Sequence, residues 1–189
     1  MPTICIDEVD SSTRQTILSL QKIEYSAIPT DKGICTLALW EGRVCFLALG
    51  SSAAQPRIDE ALKRTFARHG EMKRSTVVKR VGEQVFAAQN NNAHPLRVRL
   101  FGTEFQRMVW RALAQIPSGT TLSYQAVAQK LRRPTATRAV ASAIALNPVA
   151  LLIPCHRVIA KDGSIRGYRW GLDLKRELLR CEQMCLGRG

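Results

Sequence analysis

The sequence predicts a two-domain α/β protein: a small antiparallel sheet with helices in the first half, and a mostly helical second half with helix-turn-helix character. Three observations predict it. Short β-rich runs alternate with turn residues between positions 23 and 50. Apolar residues recur at helical spacing from position 57 onward. A polar tract ending in a helix breaker, Gln89-Asn90-Asn91-Asn92-Ala93-His94-Pro95, separates the two regions. A chain of 189 residues, 46% hydrophobic and 23% charged, suffices for one domain or two small ones.

In chain order, residues 1–21 mix acids with Ser and Thr and read as a loosely held leader. Strands are expected at 23–28, 34–40 and 44–50, the last two joined by a hairpin at Glu41-Gly42-Arg43. Helices follow at 57–69, with Ile58, Ala61, Leu62, Thr65 and Phe66 on one stripe, and at 76–88, with Val77, Val78, Val81 and Val85. They should cover one face of the sheet. The polar tract closes an N-terminal domain at 22–95, leaving 96–189 as the second domain.

That second domain opens with a strand-like run at 96–100. Thr103-Glu104-Phe105-Gln106 has the form of a capping box, and Phe105, Met108, Val109, Ala112, Leu113 and Ile116 continue the stripe of a helix that Pro117-Ser118-Gly119 stops. Ser123 can cap a second helix carrying Ala126, Val127 and Leu131. After Arg132-Arg133-Pro134 a third helix spans 135–146. Its side chains are nearly all small, which suits either tight packing or entry into a narrow minor groove. A buried strand is expected at 149–153, ended by Pro154, and a last helix at 172–184.

Charge narrows the function. The chain holds 28 Lys+Arg against 15 Asp+Glu, a formal +13. Residues 1–100 carry net +4 and 101–189 net +9, so a polyanion site belongs in the second half. No apolar run is long enough for a membrane helix, and the N-terminus lacks a basic segment followed by a hydrophobic one, so a cytoplasmic protein is expected. The six cysteines form no Cys-x-x-Cys pair and are read as reduced thiols; five of them (Cys5, Cys35, Cys45, Cys181, Cys185) are taken as small buried apolar groups.

Chemistry concentrates in Pro154-Cys155-His156-Arg157-Val158. A thiol and an imidazole stand together, and His156, Arg157 and the local positive charge could lower the thiol pKa. Neighbours in extended chain point to opposite faces, so His156 reaches Cys155 only if the backbone turns or a water intervenes. An orienting acid is needed, and the last helix offers Glu177 and Glu182. A Cys-His hydrolase is a rival reading, but no oxyanion-hole signature accompanies it.

This motif, with Asn147 before it and Gly167-Tyr168-Arg169-Trp170-Gly171 after it, resembles the active-site signature of the O6-alkylguanine-DNA alkyltransferases, most closely the alkyltransferase half of the bacterial adaptive-response protein. The likeness runs almost continuously from Phe101 to Glu182 and more weakly through the N-terminal sheet, so it covers most of the chain. It implies a ribonuclease H-like first domain and a winged helix-turn-helix second one. Cys155 would accept an alkyl group from guanine O6, and from thymine O4, once per protein molecule. His156 would deprotonate the thiol through a water, Glu182 would hold the far imidazole nitrogen, and Asn147 would be a hinge. Tyr124 and Arg138 would rotate the target nucleotide and fill its place, Tyr168 would line the alkyl pocket, and the Val158 N–H would meet the guanine oxygen. Ser123, Thr135, Ala136 and Ala139 would join Arg138 against double-stranded DNA in the minor groove. The protein would act as a monomer without cofactor. Some relatives hold zinc through two Cys and two His; His69 and His94 have no matching ligands at close spacing, and no metal is expected. At Arg169 certain relatives carry a small hydroxyl residue. The alkyltransferase-like lesion sensors, a second rival, lack the acceptor cysteine that is present here.

Overall fold

The computed structural model describes residues 4–7, 22–67, 71–87 and 96–186. They form two compact units, Met1–Phe101 and Gly102–Gly189.

In the first unit, strands β1 (Ile4–Asp7), β2 (Ile23–Thr30), β3 (Gly33–Trp40), β4 (Arg43–Gly50), β5 (Met72–Arg74) and β6 (Leu96–Arg99) make one mixed sheet in the order β1-β6-β4-β3-β2-β5. The hairpin between β3 and β4 turns on Glu41 and Gly42, both at positive φ (50° and 72°), the geometry whose twist matches that of paired strands. Burial is continuous from Cys35 to Trp40 and from Val44 to Gly50, so these central strands are core along all but their first residues. Helix α1 (Gln55–Phe66) turns Ile58, Leu62 and Phe66 inward and packs on β3 and β4. Helix α2 (Val77–Ala87) packs on β2 and β3, where a Cβ at Gly82 would overlap Ile28 Cδ1.

Two expectations are corrected here. Residues 4–7 of the expected leader form edge strand β1, which pairs in parallel with β6, Ile4 opposite Leu96 and Ile6 opposite Val98. For the same reason β6 closes the first unit instead of opening the second: its partners β1 and β4 lie in that sheet, and the division falls between Phe101 and Gly102. The sheet is therefore mixed, because β1, β5 and β6 add parallel pairings to an antiparallel centre. Most of the leader, the polar tract 89–95, His69 and His94 lie outside the described residues.

The second unit contains α3 (Glu104–Ala114), α4 (Tyr124–Lys130), α5 (Thr137–Ala145) and α6 (Leu172–Leu186), with short parallel strands β7 (Leu122–Ser123) and β8 (Val158–Ile159). The expected capping box closes α3: Gln106 N–H donates to Thr103 Oγ1 (3.2 Å) and Thr103 N–H to Gln106 Oε1 (2.8 Å). Trp110 is buried in this helix, and its indole N–H donates to the Ala143 carbonyl (2.8 Å), tying α3 to α5. Ser123 caps α4 through the Ala126 N–H. Arg132, at φ 57°, turns the chain out of α4, and a 3-10 turn at Pro134–Ala136 leads into α5. Helix α5 buries Val140, Ala143 and Ile144 and exposes Arg138, Ala139, Ser142 and Ala145. No helix of the described residues is long and apolar enough to cross a membrane.

Candidate active site

The stretch read as a buried strand at 149–153 is buried except for half-buried Leu151, but apart from a single bridge residue at Val149 it is coil and not a strand. Two prolines, Pro148 and Pro154, bracket it, and Asn147 supplies the partners that a neighbouring strand would have supplied. Its Oδ1 accepts from the Val149 N–H (3.0 Å) and its Nδ2 donates to the Ile153 carbonyl (2.9 Å). Within this coil Leu152 N–H donates to Ala150 O and Ile153 N–H to Val149 O, with Leu151 at φ 66°. Burying these backbone groups without partners would cost a few kcal/mol. The coil delivers Cys155, His156 and Arg157 as one 3-10 turn, which changes the side-chain geometry from the alternation of extended chain. Strand pairing of Leu122 with Val158 and Ser123 with Ile159 then fixes the head of α4 beside that turn.

Cys155 is 5% exposed and His156 fully buried. The Asn147 amide reaches past the coil to donate to Cys155 Sγ (3.1 Å). On the other side His156 Nε2 meets Glu182 Oε1 at 2.9 Å, which selects Glu182 over Glu177. The remaining imidazole nitrogen, Nδ1, is buried with no partner among the described residues. Tyr168 has its hydroxyl buried as well, and burial, then the proximity of Cys155, hold its phenol well above its usual pKa. The Tyr124 hydroxyl donates to the Arg166 carbonyl (3.3 Å).

Electrostatics correct one expectation. Burial pushes the Cys155 thiol up, against the opposing pulls of the Asn147 hydrogen bond, the Lys175 ammonium and Tyr168. Arg157 does not serve the thiol. Its guanidinium grips Glu182, Nη2 to Oε1 at 2.7 Å and Nε to Oε2 at 3.0 Å, and also donates to the Ile116 carbonyl. Burial therefore favours the protonated thiol over a thiolate in the resting site. Burial likewise holds His156 below its usual pKa despite Glu182. For Glu182 burial raises the carboxyl, but the hydrogen bonds from His156, Arg157 and the Gly119 N–H together bring it down to about 2.

The structure gathers Cys155, His156, Glu182, Asn147, Val158 and Tyr168 around one turn. Val158 brings its N–H already donated within that turn to Cys155 O. Arg138, Thr135 and Ala139 are exposed on α5 and its leading turn, and Ala136 is half-buried there. Arg169 stacks its guanidinium over the Trp170 ring (4.8 Å) and donates to the Leu146 carbonyl at the end of α5 (3.4 Å). One residue of the site escaped the sequence reading. Lys175 is fully buried, and its Nζ donates to the carbonyls of Val158 (2.6 Å), Arg166 (3.1 Å) and Gly167 (3.4 Å). A signal existed: it lies seven residues before Glu182, on the same helical face. Among the other cysteines, Cys35 and Cys45 are buried in the sheet as expected, while Cys5 is exposed on β1.

Fold and site together define an α/β protein with a buried cysteine on the same turn as a buried, carboxylate-bonded imidazole, and a basic helical surface on the same unit. Residues 104–184 match the family description "6-O-methylguanine DNA methyltransferase, DNA binding domain". The chain is 38% identical over 162 residues to the bifunctional transcriptional activator/DNA repair enzyme Ada of Escherichia coli, covering 85% of this chain and 45% of that one. It is 35% identical to a methylated-DNA–protein-cysteine methyltransferase of Mycolicibacterium paratuberculosis, over 85% of this chain and 93% of that protein. The Mycobacterium tuberculosis enzyme OGT, solved in complex with DNA, superposes with a TM-score of 0.67 at 31% identity, covering 85% and 93% of the two chains. The chain belongs to the methylated-DNA–protein-cysteine methyltransferase family. It spans about half the length of several curated relatives it matches, including the first.

Proposed function

We propose that this protein repairs DNA by moving an alkyl group from guanine O6, in one irreversible displacement, onto Sγ of its own Cys155. The observation that carries the reading is the buried turn that holds both Cys155 and His156, with His156 Nε2 engaged by Glu182 and Nδ1 unpartnered among the described residues, in a unit whose sequence matches the DNA-binding domain of this family. The Cys155 proton passes to His156 Nδ1 through a water, while Nε2–H remains on Glu182. The sulfur lone pair then forms the C–S bond as the C–O6 bond breaks. The released electron pair stays on the purine, and the proton taken up by His156 restores neutral guanine. Tyr124 exchanges its bond to Arg166 O for the guanine ring as charge develops there. A thioether on Cys155 offers no route back, so each molecule acts once.

Access to O6 requires the nucleotide to leave the duplex, at a cost of a few kcal/mol. We assign α4 and α5 to a winged helix-turn-helix, following a ribonuclease H-like first unit. The slim exposed face of α5, Ala139 with Ser142 and Ala145, suits the minor groove, and Arg138 is placed to enter the stack. Ser123, Thr135 and Ala136 stand at the heads of the two helices, and Tyr168 lines the alkyl pocket. The Val158 N–H reaches the guanine oxygen only as a bond shared with Cys155 O.

Incubation with a duplex containing one O6-methylguanine tests the reading. One methyl mass should appear on the peptide holding Cys155, once per chain, and Cys155→Ala should abolish it while leaving DNA affinity unchanged. Multiple turnovers, or intact DNA binding with no adduct on the native chain, would overturn the proposal.

A further inference from the structure

The Glu182 carboxylate receives more than the imidazole needs. Oε1 accepts from His156 Nε2 (2.9 Å) and from Arg157 Nη2 (2.7 Å) and Nε (3.1 Å); Oε2 accepts from Arg157 Nε (3.0 Å) and from the Gly119 N–H (3.1 Å). Arg157 is 4% exposed, and its Nη1 is anchored on the Ile116 carbonyl beyond the end of α3. A guanidinium does not give up its charge, so the Arg157–Glu182 pair is already neutral before His156 is considered.

We infer that Arg157 is a positioning residue for the alkyl transfer: by occupying Glu182 it keeps the His156 imidazole uncharged, with its proton on Nε2 and Nδ1 left to accept a proton. Charge counting around His156 supports this. From α6 it faces Glu182 and, further off, the buried Lys175 ammonium; from its own turn, Arg157 and Cys155. A proton on His156 would leave the buried cluster of His156, Arg157, Glu182 and Lys175 with three positive charges and one negative. Burial pushes the same way, and only Glu182 opposes it. Without Arg157, Glu182 would be a buried carboxylate with a single titratable partner, and that partner would take up a proton. An imidazolium cannot accept the thiol proton. The single carboxylate thus orients the base, while the cation beside it prevents that same carboxylate from charging it.

This inference rests on the proposed role of His156 as base, and the test separates the two. The chain has three histidines, so the 15N signals of His156 can be followed through a pH titration. In the native protein His156 should be the neutral Nε2–H tautomer at pH 7; an imidazolium there would overturn the inference without any variant. Arg157→Met should raise the His156 midpoint by at least one pH unit and lower single-turnover methyl transfer about tenfold at one pH unit below the new midpoint, with the loss recovered as pH rises past it. Arg157→Lys, which keeps the charge but not the fork, should restore the midpoint. Arg157→Met combined with Glu182→Gln should also bring it back down, since no carboxylate remains to draw the proton. A His156 midpoint in folded Arg157→Met that is unchanged or lower would overturn the inference. A raised midpoint with an unmoved transfer profile would uphold the action of Arg157 on His156 and overturn His156 as the base.

Discussion

Asn147 shows how much one side chain can do in this protein. It replaces a strand partner for Val149 and Ile153 and touches the sulfur at 3.1 Å, so folding and reactivity share its amide. Asn147→Ala strands the Val149 N–H and the Ile153 carbonyl in the core, which should cost about 3 kcal/mol, measurable by urea denaturation. The thiol also loses a donor that favours its ionised form, so transfer by the surviving folded fraction should be slower. Glu182 and His156 make a second prediction. Glu182 falls from an ordinary value of 4.5 to about 2 on folding, so its contribution is complete above about 4.5 and is lost as pH falls toward 2. Integrated over that shift it amounts to about 3 kcal/mol. His156 is held below 6.5, so the unfolded chain takes up its proton first and stability declines from about pH 6.5 downward. Thermal melts from pH 7.5 to 3 should therefore show a loss in two stages, and Glu182→Gln should remove the lower one. Cys155 was legible through its neighbour His156, since a cysteine alone reads as packing, whereas Glu182 stood level with Glu177 by residue type and only the hydrogen bond to His156 Nε2 separates them. Lys175 was not legible, because a lysine on an amphipathic helix ordinarily lies in solvent, and only three converging carbonyls make its burial tolerable.

At the scale of elements, legibility followed local information. The α3 capping box, the Ser123 cap and the Glu41-Gly42 turn are each written in two to four adjacent residues, and each is present in the structure. Strand β1 was hidden because four residues carry too little pattern; it exists through its parallel partner β6, some ninety positions away. Residues 149–153 misled for the opposite reason. Five apolar residues between prolines look like a core strand, and nothing in their periodicity shows that Asn147 will satisfy their backbone. Helix α5 was read correctly as a helix, and its two faces now part the two explanations of its small side chains. Val140, Ala143 and Ile144 serve packing, while Arg138, Ala139, Ser142 and Ala145 remain exposed. Arg138→Ala should leave the melting temperature unchanged, since the side chain is exposed on the helix surface. It should slow repair in duplex DNA by about tenfold or more, corresponding to at least about 1.4 kcal/mol of lost help in extrusion, while reaction with the free nucleobase is unaffected. Equal slowing on both substrates would contradict the role given to this helix.

For the molecule as a whole, the governing quantity is how much of the +13 is available to a phosphate backbone. The second half carries 14 of the 28 basic side chains against 5 acids, but two of them, Arg157 and Lys175, are spent inside the site and cannot meet a phosphate. Others are answered locally on the surface, Arg166 by Asp162 and Arg176 by Asp173. The cations that remain exposed around α4 and α5 are Lys130, Arg132, Arg133 and Arg138. If Arg138 enters the stack, about three are left to neutralise phosphates from these helices. Counterion release then gives a slope of about −0.9 per phosphate, so affinity for duplex DNA should fall roughly fortyfold between 50 and 200 mM salt. Fluorescence anisotropy across that range measures it. Arg133→Ala should flatten the slope by about one and weaken binding to every duplex alike, because a phosphate contact reads no sequence. Arg157→Met should leave the slope unchanged despite removing the same formal charge, since that guanidinium faces Glu182 and not the solvent. A slope that tracked formal charge in both variants would show that the field of the whole chain, and not the α4–α5 surface, holds the DNA.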